Sequence, residues 1–191
     1  LCSGSATTAV AFSGAVTGTV YNWTNNTPSI GLAATGTGNI ASFTAINTGT
    51  APVVATITVT PKYTNGGATC TGTPTTYTIT VLPTGQVNTV ANQTICNNAN
   101  TAAVTFGTAN TGGTTTYSWT NDNTSIGLAA SGTGNIASFV GVNTGTTPVT
   151  ATITVTPTFA NGLGIQQFSG SISAAGPNMS ARMNRFANTT T

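Results

Sequence analysis

Ionisable side chains are almost absent from this chain. Its 191 residues include three Lys or Arg, one Asp or Glu and no His. The four are Lys62, Arg182, Arg185 and Asp122, which leaves no Glu at all. Paired-carboxylate acid–base catalysis, Ser-His-Asp triads and carboxylate metal sites therefore lack their parts. Calcium sites want several carboxylates, and Asp122 is alone. Asp122 lies in Asn121-Asp-Asn-Thr124, a pattern in which a short polar side chain bonds the local backbone of a turn. Nucleic acid is excluded on similar grounds, since phosphate neutralisation needs clustered cations and Arg182 with Arg185 form the only close pair. The sequence thus predicts neither an enzyme nor a cofactor or metal.

Long apolar runs are missing too. None approaches the ~20 residues of a membrane-spanning helix. Cys is scarce, at positions 2, 70 and 96, with no CxxC spacing for zinc. Aromatics make up 7% of the chain, with only two Trp. A net charge of +2 leaves little repulsion between molecules, so self-association is expected. The chain opens at Leu1-Cys2 with no charged leader, which reads as processed or truncated. Abundant Thr, Ser and Asn with few charges predicts an extracellular location at the cell surface.

What is present is a repeat. Residues 29–61 (SIGLAATGTGNIASFTAINTGTAPVVATITVTP) and 125–157 (SIGLAASGTGNIASFVGVNTGTTPVTATITVTP) match at 27 of 33 positions without a gap. A self-match of that length means two copies of one folding unit. Within each copy the dominant period is two. Ala55, Ile57 and Val59 alternate with Thr56, Thr58 and Thr60, and Ala151, Ile153 and Val155 repeat this with Thr152, Thr154 and Thr156. One apolar and one hydroxyl face predicts half-buried antiparallel strands. Further strands are predicted at residues 9–12, 19–23, 41–46 and 76–81, separated by turn clusters such as 35–39 and 65–67. The expected fold is all-β: two tandem immunoglobulin-like (PKD-like) antiparallel β-sandwich domains.

The predicted division is 1–84, 85–175 and a tail, 176–191. Tyr21 with Trp23, and Tyr117 with Trp119, are the expected core aromatics; the competing reading of each Trp is a carbohydrate-stacking platform. Cys2 and Cys96 are equivalent by repeat, while Cys70 has no counterpart. The expected bridge is therefore Cys2–Cys70, contributing about 4 kcal/mol in the chain-entropy view, with Cys96 left over. Unit one starts where unit two has reached Ile95-Cys96, so it lacks an opening strand. Unit two closes only with Phe168-Ser-Gly-Ser-Ile-Ser173, weakened by Gly170.

The motifs Cys2-Ser-Gly-Ser-Ala-Thr-Thr, Tyr21-Asn-Trp-Thr-Asn-Asn, Ser29-Ile-Gly-Leu-Ala-Ala, Asn47-Thr-Gly-Thr-Ala-Pro and Cys70-Thr-Gly-Thr-Pro together resemble PKD-like and immunoglobulin-like repeats of secreted Bacteroidota surface proteins. That resemblance implies spacer or contact modules of adhesins, gliding-associated proteins or fibres, with no catalytic residues to carry over. It stops after Asn161, where the Cys-Thr-Gly-Thr-Pro loop is missing.

The function expected on these grounds is an extracellular filament subunit assembled head to tail by β-strand complementation. Inter-subunit contact is expected from Ile165, Phe168, Ile172, Arg182, Arg185 and Phe186, with Cys96 a further candidate. The alternatives are a fragment of a multi-repeat adhesin, or a Thr-rich protein that binds ice or surface glycans.

Overall fold

A computed structural model describes residues 1–162, 172–175 and 180–182 of the chain. Strands account for 40% of the residues and helical turns for 4%, so the class is all-β with antiparallel sheets. The chain forms two compact units: Leu1–Leu82 with the two C-terminal strands, and Pro83–Gly162. Among the described residues no helix is long and apolar enough to cross a membrane.

In the first unit the strands are β1 (Phe12–Gly14), β2 (Val20–Asn25), β3 (Thr35–Thr37), β4 (Val53–Asn65), β5 (Ala68–Thr71) and β6 (Thr75–Val81). Their order is β3-β2-β4-β5, with β6 also on β4. Period-two alternation gives β4 its two faces. Ala55, Ile57 and Val59 are buried, while the intervening Thr side chains are half-buried on the far face. From β6, Tyr77 and Val81 complete the same core. Opposite this sheet runs a looser pairing, in which Val10 and Ile40 exchange hydrogen bonds of 2.8 and 3.0 Å and Ala6 bridges Thr44.

The second unit holds β7 (Thr114–Asn121), β8 (Ser131–Thr133) and β9 (Ile153–Ala160), in the order β8-β7-β9. Its looser pairing repeats too, through Asn100 with Val140 and Val104 with Ile136. Two further strands, β10 (Ile172–Ala175) and β11 (Ser180–Arg182), join β1 in a separate sheet of order β1-β10-β11.

The long repeated motif has a local explanation. Ser29-Ile30 closes a 3-10 turn (Pro28–Ile30), and Gly31 follows at φ 94°. Leu32 then turns back into the core beside the fully buried Ile30. Any Cβ on Gly31 would overlap the Thr44 carbonyl, so glycine is required there. Gly127 repeats the arrangement at φ 92°. The loop is strapped to its strand by a buried Asn. Asn25 Nδ2 donates to Leu32 O at 2.9 Å, and Asn121 Nδ2 donates to Leu128 O at 3.0 Å.

One expectation changes here. The cluster 35–39 is not simply a turn, because Thr35–Thr37 is β3. Gly36 lies opposite Trp23 in the register, and the indole rests where a Cβ would stand. A glycine that reads as a loop signal is instead a floor for an aromatic ring. By contact the chain divides at Leu82–Pro83, and Ile172–Ala175 pairs with β1 of the first unit.

Candidate assembly surfaces

The two units are unequal copies, and each differs from the other at a strand edge. In unit two, residues 84–93 run antiparallel along residues 102–110. Gln86 N donates to Asn110 Oδ1 at 2.7 Å, Asn88 N to Gly107 O at 2.8 Å, and Asn110 Nδ2 to Thr84 O at 3.1 Å. Farther along, Gln93 and the Ala102 backbone exchange bonds of 3.0 and 2.8 Å. In unit one the matching edge begins at β1, since Phe12 corresponds to Phe106. There the partner is β10, paired in parallel: Phe12 with Ile172, Ser13 with Ser173 and Gly14 with Ala174. A strand from the far end of the chain thus covers an edge that unit two covers with its own leading segment.

The second difference lies on β9. In unit one β4 is flanked on both edges, by β2 and by β5 with β6. Among the described residues β9 has only β7. The consequence is visible in the core. Ile30, Ile57 and Val59 are fully buried in unit one, whereas Ile126, Ile153 and Val155 are only half-buried. Unit two's buried cluster reduces to Phe106, Trp119 and Ile136. A groove of about 830 Å³, lined in part by Phe106, Ile126, Ile136, Ile153 and Val155, runs between β9 and the segment 90–97.

The remaining candidate residues fall as follows. Trp23, Tyr21 and Trp119 are buried and Tyr117 half-buried, with Phe12 and Phe106 tilted against Tyr21 and Tyr117 at 5.7 and 5.4 Å. These aromatics lie inside, not on a stacking platform. Asp122 departs from the expected local turn bond: its Oδ1 accepts from the distant Thr152 N at 2.7 Å, as Asn26 Oδ1 accepts from Thr56 N at 2.8 Å. Thr56, Thr58 and Thr60 are half-buried in a central strand, Thr58 lying opposite both Thr24 and Thr76. Ile172 lies in β10 and Arg182 in β11; Ile165, Phe168, Arg185 and Phe186, with most of 176–191, lie outside the described residues.

The expected Cys2–Cys70 bridge is not formed; Cys2, Cys70 and Cys96 are all exposed free thiols. Register explains why. Cys2 bridges Leu82, next to the Val81–Val53 pair at the start of β4, and Cys70 pairs with Tyr63 near its end. Ten positions along a strand, from 53 to 63, span about 33 Å. A disulfide needs Cα atoms within about 7 Å. Equivalence of Cys2 with Cys96 was legible by repeat, but placement along β4 was not. Missed altogether were the buried Asn25, Asn47 and Asn121, whose signal was their presence at matched places in both copies.

Comparison with protein families, curated proteins and solved structures finds nothing that matches this chain.

Proposed function

We propose that this chain is an extracellular structural protein, the subunit of a surface filament assembled head to tail by β-strand complementation. Its two units are immunoglobulin-like modules that act as scaffold and contact. The observation that carries this reading is the β1–β10 pairing. Unit one offers an edge that takes a strand from the C-terminal region of the chain, in parallel and outside the unit's own contiguous sequence. When a neighbouring subunit supplies that strand, the contact is heterologous and repeats without closing, which builds a fibre. The near absence of charge fits the same role, because little repulsion opposes end-to-end packing.

The test is deletion of residues 165–191 followed by analytical sedimentation. Monomers are expected from the shortened chain and polymer from the intact one. Polymer of unaltered size from the shortened chain would overturn the reading.

A further inference from the structure

In unit one, β6 lies in a slot with two walls. On one side it pairs antiparallel with β4. On the other, the chain just past its end runs parallel to the first residues: Leu82 N donates to Leu1 O at 2.8 Å, and Ser3 N to Leu82 O at 2.9 Å. Both walls recur 96 positions on, residues 149–155 standing for 53–59 and 95–97 for 1–3. The groove beside β9 runs between them, and the Cys96 thiol is the one ionisable group in its lining. Among the described residues β9 pairs with β7 alone, so its other edge keeps unpaired backbone groups. A side chain marks the same gap. Asn47 Nδ2 donates to Ala51 O at 2.9 Å and to Val81 O in β6 at 2.8 Å. Its repeat partner Asn143 lines the groove and keeps the first bond, to Thr147 O at 2.9 Å, but its Nδ2 has no second acceptor among the described residues.

We propose that this groove takes a strand donated by another polypeptide: an extended, uncharged segment with bulky apolar side chains at alternate positions and Thr between them. The chemistry of the occupant is read from β6, where Tyr77 and Val81 are buried and Ile79 packs against the core. The register is read there too. Val53, Ala55 and Ile57 lie opposite Val81, Ile79 and Tyr77. Val149, Ala151 and Ile153 therefore face the donated strand's last aliphatic, middle aliphatic and aromatic residues, and the carbonyl of the last accepts from Asn143 Nδ2. Backbone pairing supplies the affinity, and the alternate side chains supply the selection. An uncharged strand is selected because a charge sunk in this groove would find no partner.

This chain's own counterpart of β6 is engaged elsewhere and lacks the pattern. At the repeat spacing of 96, Ser173 and Ala175 stand in place of Tyr77 and Ile79, and Ile172–Ala175 is paired with β1. That pairing is untouched by docking at β9, so the proposal does not rest on the filament reading.

The test uses the full chain, with a fluorescein-labelled peptide of residues 74–82 (PTTYTITVL) as the probe. Saturable binding of one peptide per chain is expected in anisotropy. Amide exchange should slow at residues 149–155 and 95–97 and stay unchanged in β4. A peptide carrying Tyr77→Ser and Ile79→Ala should bind at least about tenfold more weakly. Asn143→Ala in the protein should weaken binding roughly threefold to tenfold. Absence of binding would overturn the proposal, and so would binding indifferent to these substitutions or exchange slowed only in unit one. Protection of 149–155 before any peptide is added would overturn it as well. Concentration-independent protection would assign the groove to the chain's own tail, and protection that rises with concentration to a second copy. Sedimentation of the chain without peptide reports the filament reading separately.

Discussion

Beneath each buried tryptophan lies a glycine, Gly36 under Trp23 and Gly132 under Trp119, and in both a methyl group would overlap the six-membered side of the indole. Neither glycine has a positive φ, so close approach is its whole reason. Gly36→Ala and Gly132→Ala should each lose about 1–3 kcal/mol through overpacking, read by tryptophan fluorescence in denaturant. The paired asparagines give a sharper contrast. Asn47→Ala strips a buried partner from Val81 O and should lose about 1–3 kcal/mol, while Asn143→Ala, whose side chain bonds only Gly145 and Thr147 of its own loop, should lose under about 1. Tyr77 supplies a pH signature. Burial pushes its phenol up to about 12 from the ordinary 10.0. The folded chain therefore keeps that proton while the unfolded chain releases it. Stability is unaffected below pH 10 and falls as pH rises towards 12, by about 2–3 kcal/mol in all. Denaturant titrations across that window should show the fall, and Tyr77→Phe should flatten much of it.

At the scale of elements, strand count separates the two copies more than sequence does. The 33-residue match covers the strands that make β4 and β9 alike, but not the elements that flank them. An edge strand with apolar neighbours is a pairing hazard unless something covers it. Unit one covers β4 on both sides; unit two leaves β9 with one partner among the described residues. Removing 163–191 should therefore expose β1 while leaving β2–β6 intact. Amide exchange is expected to accelerate around residues 10–14 and to remain slow in β4. Acceleration in β4 instead would mean that the first unit's main sheet depends on the tail. Alternation made β2, β4 and β6 readable within a few residues. β3 was not readable, because its glycine reports the ring packed on it and not the backbone path.

The whole molecule is held with scarcely any electrostatics. Four charged side chains, two of them near the C-terminus, leave burial and backbone hydrogen bonding to do the stabilising. Melting temperature should change little between 0.05 and 1 M salt, since screening has almost nothing to act on. It should also stay flat from pH 5 to 8, where His is the side chain that ordinarily titrates and none is present. A marked salt dependence in scanning calorimetry would contradict this. Composition and periodicity alone determined the all-β class, the duplication and the poverty of reactive groups, because inventory and alternation are local properties of the chain. Tertiary structure alone decided that Cys2 and Cys70 lie at opposite ends of β4, that β10 pairs with β1, and that β9 has β7 as its one strand partner among the described residues. Each of those depends on register between segments distant in the chain, and a strand's own residues do not say which edge it will meet.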